Sequence, residues 1–313
     1  MLGWLSKSTQ KPGLLAVAIE PEAIKFAHVL HAEGERPRAT HWWSVLSIPS
    51  DQASSLQASA KEHGFGRATC TTLLEPADYQ MLLVEPPNVP ADELRAAIRW
   101  KIKDLIEYHV DDATFDVFEV RGGGETKGSA KAMYAVATPN EVVQKRIGLF
   151  EDARVPLKVI DIPEMAQRNV AALFESKDKA TAMLAFSPWG GLLTISFHGE
   201  LLLARRLEVT SVQLSQREHG DHYRERVAIE IMRSLDIFDR QRLSAGVGQV
   251  LLAPLPQDPE LEQFLQSKLD VPVIGAALPK VMDFAGGSEP TPEEQWEYFY
   301  LFGAALRVEE TAL

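Results

Sequence analysis

Residues 182–209 read AMLAFSPWGGLLTISFHGELLLARRLEV and give the clearest indication of the architecture. Three apolar runs are separated by two short turns that contain glycine, and this order predicts three consecutive strands. Residues 14–48, LLAVAIEPEAIKFAHVLHAEGERPRATHWWSVLSI, repeat the order of strand, turn, strand, turn and strand. Because a three-stranded meander opens each half of the chain, the pattern predicts two related lobes, although sequence identity between the two copies is low.

Helical patterns alternate with strands in both halves. Residues 91–110, ADELRAAIRWKIKDLIEYHV, predict a helix. Its apolar stripe consists of Leu94, Ile98, Ile102, Leu105 and Ile106. Residues 221–241 predict a second amphipathic helix, and the last helix begins at a capping box in which Thr291 and Glu294 flank Pro292. The alternation predicts an α/β fold.

The region between the two meanders predicts an additional small unit. Across residues 79–138 the pattern reads strand, helix, strand and strand, which indicates a βαββ subdomain inserted in the first lobe. We therefore expect a first lobe over residues 1–170 and a second lobe over residues 171–313.

The composition excludes several classes of function. The chain has 313 residues, with 32 Lys and Arg against 44 Asp and Glu, and a formal net charge of −12. An acidic chain is unsuited to binding nucleic acid or to simple adhesion to anionic lipid. Its one cysteine, Cys70, excludes an internal disulfide and favours a reducing compartment.

We expect a cytoplasmic protein that does not insert into a membrane directly. Residues 1–13, MLGWLSKSTQKPG, lack the apolar region and cleavage site of a secretory signal. Leu2, Trp4 and Leu5 beside Lys7 allow a weak interfacial anchor, but a frayed start is the favoured interpretation.

The central part of the sequence resembles a known family. Residues 79–118, YQMLLVEPPNVPADELRAAIRWKIKDLIEYHVDDATFDVF, look like the signature region of the PilM proteins of type IV pilus assembly, and most of all like the MshI branch of mannose-sensitive-haemagglutinin-type (MSHA-type) pili. VIDIPEMA at residues 159–166, EIMRSLDIFDRQ at 230–241 and FGAALR at 302–307 look like weaker counterparts.

The resemblance implies a two-lobed actin-like fold of the FtsA and PilM type. It also implies a place under the inner membrane, where such proteins hold the cytoplasmic N-terminal tail of a bitopic PilN-like protein. The chain would be peripheral to the membrane through that partner, and components of the pilus motor are a further expected contact.

The first nucleotide motif of actin-like ATPases is altered in this chain. The motif usually reads Asp-x-Gly-Thr or Asp-x-Gly-Ser. Aligned through residues 24–25, the chain has Ala18 in place of the Asp, and Glu20 and Pro21 in place of the Gly-Thr pair. A carboxylate repels phosphate, and proline lacks the N–H donor that a phosphate would use.

The other two motifs are altered as well. In the second hairpin Ala185 and Ser187 replace the usual Asp and Gly. Gly190, Gly191 and Thr194 are the residues that still resemble a phosphate-binding loop. Ala253 begins the stretch that replaces the adenosine-binding glycine pair. We therefore expect no catalysis, no metal and no required cofactor, and the binding of ATP or ADP as a vestigial ligand stays open.

Two catalytic alternatives remain. The chain is an active actin-like ATPase if Glu20 or Asp161 replaces the missing Asp residues, or a relative of the sugar and acid kinases that share the fold. The second alternative lacks an assignable catalytic Asp and an intact phosphate hairpin.

The inserted subdomain supplies candidate partner-binding residues. Arg99, Trp100 and Tyr108 lie on the predicted helix, or just beyond it, and away from its apolar stripe; an arginine and aromatic residues are the types that anchor peptides. Tyr79 and Leu83 on the preceding strand are further candidates. Each has a structural alternative, since Trp100 can pack the subdomain against its lobe and the two strand residues can belong to the core.

Other motifs favour structural interpretations. Residues 122–128, GGGETKG, lack the order of a phosphate-binding loop and predict a flexible hairpin turn. His219, Asp221 and His222 could bind a metal, but a polar loop with Asp221 as the helix N-cap explains them as well. Cys70 lies in an apolar strand and is expected in the core.

Overall fold

The computed structural model describes residues 13–31, 35–90, 92–120, 132–216, 220–241, 246–287 and 289–308. The candidate anchor at residues 2–7, the glycine-rich stretch 122–128 and His219 lie outside these residues. Within the described parts of the chain, no helix is both long enough and apolar enough to cross a lipid bilayer.

The first sheet has six strands and contains the first predicted meander. Its strands are β1 (Leu14–Ile19), β2 (Ala23–Leu30), β3 (Arg38–Leu46), β4 (Cys70–Leu73), β8 (Leu157–Asp161) and β14 (Asp283–Phe284). They lie in the order β14-β3-β2-β1-β4-β8. The three strands of the meander pair antiparallel, whereas β4 and β8 are added in parallel. Cys70 is fully buried on β4, as predicted.

The second sheet has five strands and contains the second predicted meander. Its strands are β9 (Ala180–Ser187), β10 (Gly190–Phe197), β11 (Glu200–Leu207), β12 (Val247–Leu252) and β13 (Val273–Gly275). They lie in the order β11-β10-β9-β12-β13, so that β11 is the terminal strand on one side. An antiparallel meander extended by two parallel strands is also the arrangement of the first sheet.

The inserted unit forms a third sheet of its own. Its elements are β5 (Gln80–Val84), α2 (Leu94–Ile102), β6 (Ala113–Val120) and β7 (Ala132–Pro139). The strands are antiparallel in the order β5-β7-β6. One face packs against α2 through Ile98 and Ile102, and the other face contributes Val120 and Tyr134 to the core of the second sheet.

The helix of the inserted unit is shorter than predicted. It ends at Ile102 rather than near residue 110. Turns follow, in which the N–H of Ile106 donates to the carbonyl of Ile102 at 3.1 Å, and the N–H of Glu107 then leaves the helical ladder and donates to Oε1 of Gln80 at 3.1 Å. Ile106 still reaches the apolar cluster, but Leu105 is exposed and does not belong to the buried stripe.

The remaining helices cover the sheets. They are α1 (Gln52–Glu62), α3 (Asn140–Asp152), α4 (Pro163–Ala172), α5 (Ser211–Leu214), α6 (Gly220–Gln241), α7 (Leu261–Lys268), α8 (Pro292–Glu297) and α9 (Phe299–Ala305). Helix α6 buries Val227, Ile231 and Phe238 on one face, as predicted. Asp221 lies inside its first turn and binds Arg224 at 3.0 Å, so it is not the N-cap.

The last predicted helix is divided in two. Thr291 and Glu294 form the predicted capping box at the start of α8. The helix is interrupted at Tyr298, where φ is −101° and ψ is 5°, and α9 follows at once. Before α8, the chain returns from the range predicted for the second lobe to the first sheet, since β14 pairs with β3. The predicted lobe boundaries themselves stay predictions.

Helices α4 and α9 approach unusually closely at Gly303. A Cβ atom on Gly303 would lie 2.2 Å from the carbonyl oxygen of Ala166, and Nδ2 of Asn169 donates to the carbonyl of Gly303 at 2.9 Å. The cluster around this contact joins residues of the first sheet, such as Ala16 and Ala27, to residues of the second. The absence of a side chain at Gly303 therefore determines how these helices pack.

We predict that Gly303→Val lowers the free energy of unfolding by about 3 kcal/mol, because the added side chain must push α9 away from backbone atoms of α4. Gly148→Ala on α3 is the matched control, since a Cβ there meets nothing within 4 Å. The control should raise stability by roughly 0.5–1 kcal/mol. Urea denaturation measures both, and equal effects of the two variants would contradict the close approach.

Candidate functional site

The turn between β1 and β2 is held by the chain's own groups. The N–H of Glu20 donates to the carbonyl of Ala23 at 2.9 Å, and Nε2 of Gln52 donates to the carbonyl of Glu20 at 2.9 Å. Lys25, which lies opposite Ala18 in the β-ladder, pairs with Glu20 at 2.9 Å. The residues that replace the first phosphate motif therefore form a tied turn with Pro21 exposed at its tip.

Lys25 also connects this turn to α8. Its Nζ lies 3.1 Å from Glu297, and its side chain is largely buried. Burial opposes the charge of Lys25, but the ion pairs with Glu20 and Glu297 outweigh it and raise the pKa above its usual value. The ammonium therefore stays charged and holds two carboxylates together.

The turn between β9 and β10 is equally self-contained. Oγ of Ser187 donates to the carbonyl of Gly190 at 3.1 Å and accepts the N–H of Trp189 at 3.2 Å. Gly190 has a φ of 141°, and a Cβ atom there would lie 2.6 Å from the carbonyl oxygen of Leu207. Backbone packing therefore accounts for this glycine without a phosphate. A Cβ on Gly191 would likewise press on the ring of Phe186 at 2.7 Å.

Helix α8 is bound to both turns. Nε1 of Trp296 donates to the carbonyl of Phe186, near the end of β9, at 2.8 Å. The next residue, Glu297, binds Lys25 beside the first turn. Two consecutive side chains of α8 therefore bind one strand beside each altered turn, β2 after the first turn and β9 before the second. The third altered position, Ala253, is buried, and its N–H continues the β-ladder to Leu184 at 2.8 Å.

The polar groups behind the second turn are also bonded within the protein. Nε2 of the fully buried Gln167 on α4 donates to the carbonyls of Met183 and Leu192 and to Oγ1 of Thr194, at 2.7–3.0 Å. Ala185 is buried on the adjacent strand. Thr194 therefore anchors a core glutamine.

The two candidate substitute carboxylates have protein partners. Oδ2 of Asp161 accepts from Arg307 at 2.9 Å, and its Oδ1 accepts the N–H of Ile162. Glu20 is paired with Lys25. In the part of the chain that the structure describes, no group of three or more His, Cys, Asp and Glu side chains is arranged to hold a metal ion.

A buried charge cluster joins all three sheets. Glu164, at the start of α4, is only 2% exposed and accepts hydrogen bonds from the hydroxyl of Tyr79 and from Nη2 of Arg206 at 3.1 Å. Arg206 on β11 also stacks over the Tyr79 ring at 4.6 Å and donates to the carbonyl of Pro76 at 2.6 Å. Tyr79 belongs to the cluster and is buried, which agrees with the core alternative for this residue.

The cluster forms the wall of a small cavity near the second turn. The cavity has a volume of about 130 Å³, and Trp189, Gly190 and Tyr300 also line it. Pockets that bind small molecules usually measure about 300–1,000 Å³. The volume is therefore suited to a single side chain or a few waters rather than a nucleotide.

Glu164 and Arg206 were not recognised as site residues from the sequence. The one signal is local: Arg205 and Arg206 follow each other in the apolar strand LLLARRLEV, where a charged side chain needs a partner when it is buried. No local pattern identifies that partner, since Glu164 lies 42 residues away.

The predicted partner-binding residues do not form one surface. Leu83 is half exposed and lies opposite Tyr134 in the ladder, on the sheet face directed at the second lobe. Trp100 is 69% exposed on α2, which covers the other face, so it does not pack the subdomain against its lobe. Arg99 pairs with Asp111. Tyr108 packs partly against the α2 cluster.

Comparisons with known proteins identify the fold. No protein-family model and no curated protein matches the chain. A chain of the structure described as "PilM-PilN type IV pilus biogenesis complex" superimposes with a TM-score of 0.70 and 19% identity, covering 94% of this chain and 98% of that one. A protein from Bacteroides thetaiotaomicron described as having an actin-like ATPase fold and unknown function gives 0.50 and 9%, over 90% and 96%. The predicted actin-like fold is confirmed.

We predict that alkaline pH destabilises the protein through two buried groups, the hydroxyl of Tyr79 and the thiol of Cys70. Burial, and the charge of Glu164, raise the pKa of Tyr79 well above 10.0, and burial raises the pKa of the Cys70 thiol from 9.0 to about 12. The folded protein retains these protons where the unfolded chain releases them. These groups therefore make their full contribution to the free energy of unfolding below about pH 9. The free energy of unfolding falls as the pH rises further, by up to about 1.4 kcal/mol per pH unit for each group.

Urea denaturation at a series of pH values measures this loss. Tyr79→Phe removes one titrating group and should flatten the fall above about pH 10, although it also removes the hydrogen bond to Glu164 and lowers stability at neutral pH by roughly 1–2 kcal/mol. A stability curve that stays level between about pH 9 and 11 would contradict the prediction.

Proposed function

We propose that this chain is a non-catalytic, PilM-like adaptor that holds the cytoplasmic N-terminal tail of a PilN-like inner-membrane protein. The observation that carries the proposal is the likeness to a chain of the PilM-PilN complex over 94% of this chain and 98% of that one. The signature-like run at residues 79–118 favours the MshI branch and an MSHA-type pilus. The adaptor is then cytoplasmic and peripheral to the inner membrane.

The geometry of the two turns supports a role without catalysis. The carboxylate of Glu20 and the ammonium of Lys25 neutralise each other, and Glu297 of α8 binds the same ammonium. Phosphate binding at this turn would have to displace Glu20 and Glu297 from Lys25. The second turn satisfies its own hydroxyl and carbonyl at Ser187 and Gly190, and Glu164, which lines the adjacent cavity, is bonded to Tyr79 and Arg206.

Charge supports the choice of partner. The chain carries a net charge of −12, whereas the cytoplasmic ends of membrane helices are enriched in Lys and Arg. A basic tail is therefore attracted to the adaptor at long range. The adaptor has no need of lipid contacts of its own, since the membrane helix of the partner supplies the anchor.

The inserted subdomain offers two places for such a tail. Strand β5 is a terminal strand of its sheet, so an extended peptide can pair beside Leu83. The second place is on the other side of the subdomain, at the exposed ring of Trp100. The Nζ of Lys103 lies 4.4 Å from the centre of this ring, and Arg99 lies on the same helix.

We predict that calorimetric titration distinguishes the adaptor from the ATPase alternative. A synthetic peptide with the sequence of a PilN-like N-terminal tail should bind with a dissociation constant of about 1 µM or tighter, corresponding to roughly −8 kcal/mol. ATP with excess Mg²⁺ should give no binding heat. Tight ATP binding would contradict the proposal and favour an unconventional ATPase.

Two substitutions locate the tail. Leu83→Glu and Trp100→Glu each place a charge on one side of the subdomain, and one of them should weaken peptide binding by about tenfold or more. Leu46→Glu on β3 is the matched control, because Leu46 is 89% exposed and lies outside the subdomain. Unchanged affinity in both subdomain variants would overturn the assignment of the tail to this unit.

A further inference from the structure

A groove rich in arginine lies between the end of β11 and the helix α6. Its volume is about 440 Å³. Four arginines line it, Arg205, Arg206, Arg226 and Arg233, together with Glu208, Glu230 and the apolar side chains of Leu207, Val209 and Ile229. The guanidinium of Arg206 is bonded to Glu164 outside the groove, so three arginines are set against two carboxylates and positive charge is in excess by one, in a chain whose acidic residues outnumber the basic ones by twelve.

The helix presents a regular pattern to the groove. Arg226 and Arg233 lie seven residues apart, which is two turns of helix or about 10.5 Å along the axis. Ile229 lies between them and is 41% exposed. The wall that α6 forms therefore presents a basic, an apolar and a second basic side chain in turn along its length.

This spacing fits an extended chain. A strand advances by about 3.4 Å per residue and directs every second side chain to the same side, so side chains four residues apart share a side and are separated by roughly 14 Å. Two carboxylates at positions i and i+4 of a bound segment would meet Arg226 and Arg233, whose long side chains cover the remaining difference in spacing, and position i+2 lies between them on the same side. An apolar side chain between them would face Ile229.

The existing ion pairs leave these arginines available. Arg226 contacts Glu208 at 3.3 Å, but the Glu208 side chain is 91% exposed, and such a surface pair contributes only about 0–1 kcal/mol. Arg233 pairs with Glu230 at 3.0 Å and is itself 64% exposed. Glu230 also binds Arg205, so it is shared between two cations.

Strand β11 supplies a backbone edge beside the groove. It is the terminal strand of its sheet, and the N–H of Ala204 points outward, where it donates to the hydroxyl of Tyr134 at 3.2 Å. Alternation along an antiparallel strand directs the N–H of Arg206 to the same side. A carbonyl of a bound extended segment therefore has a donor there.

We propose that this groove docks an extended, acidic segment of a partner protein, with carboxylates four residues apart and an apolar side chain midway between them on the same side. The concave shape excludes a flat bilayer surface, and the net charge of −12 disfavours a nucleic-acid duplex. The site is separate from the subdomain to which the tail of the membrane protein is assigned, and it needs no part of that assignment.

A labelled peptide tests the proposal by fluorescence anisotropy. The probe is a twelve-residue peptide of about three repeats of Glu-Ser-Val-Ser, which places Glu at every fourth position of an extended chain and Val midway between on the same side. We expect saturable binding that weakens as salt is raised, because the contacts are partly exposed ion pairs. The same peptide with Lys in place of Glu should not bind.

Charge reversal on α6 gives the decisive comparison. Arg226→Glu combined with Arg233→Glu should weaken binding by about tenfold or more, and the milder Arg226→Gln with Arg233→Gln serves if the first variant is unstable. Arg240→Glu is the matched control on the same helix, since Arg240 pairs with Asp236 and lies outside the groove. The control should bind as the unchanged protein does.

Several results would overturn the proposal. They are equal affinity for the Glu and Lys peptides, equal loss in the Arg240 control, and binding of vesicles with anionic lipid that the groove variants abolish. Concentration-dependent self-association that the groove variants abolish would assign the surface to a second copy of this chain instead. Binding of the PilN-like peptide is measured in the same variants and should not change, so that the two proposals fail separately.

Discussion

The structure depends most on the buried carboxylate of Glu164. It lies on α4, which follows β8 of the first sheet in the chain and packs against the second sheet, and its hydrogen bonds come from Tyr79, which precedes the inserted sheet, and from Arg206 on the second sheet. Removing the Arg206 cation leaves a carboxylate that is 2% exposed without its counter-charge, and breaking a fully buried ion pair typically costs about 3–5 kcal/mol. Arg206 is partly exposed, so its own share is smaller. One carboxylate thereby requires three separate parts of the chain to meet.

The contacts between the sheets also depend on bonds within the protein. Protein groups occupy the hydrogen-bond donors that a nucleotide-binding relative would need to keep free. Gln167 uses its amide on two carbonyls and a hydroxyl of the second sheet, and Lys25 is occupied by Glu20 and Glu297. Each of these bonds contributes to stability only while the sheets keep one arrangement. An adaptor benefits from a fixed arrangement, whereas hydrolysis of ATP generally needs room for a ligand and for movement around it.

The sequence was sufficient for features that depend on local periodicity. Both meanders, the apolar face of α6 and the capping box at Thr291 were predicted from residues that are neighbours in the chain or one turn apart. The predicted length of α2 was wrong, since the helix ends at Ile102 and beyond it Gln80, on another element, takes the N–H of Glu107. Periodicity carries no information about such a competitor, and the same reason hides the pairing of Arg206 with Glu164. The inserted subdomain was predicted, but its two exposed apolar positions, Leu83 and Trp100, proved to lie on opposite sides. Alternation along the strand directs Leu83 to the face of the sheet that α2 does not cover, whereas Trp100 lies on α2 itself.

A continuous set of contacts connects the inserted subdomain with the arginine-lined groove. Leu83 is the ladder partner of Tyr134, Tyr134 accepts the N–H of Ala204, and Ala204 precedes the arginines of β11. Contact alone does not make one site sense the other, since energetic coupling requires an element with two arrangements that both sites bias. Tyr134 is buried and bonded, and burial raises its pKa, so the hydroxyl stays protonated and keeps this contact at physiological pH. The contacts therefore join the subdomain to β11 as parts of one packed unit, through a ladder pair and a hydrogen bond.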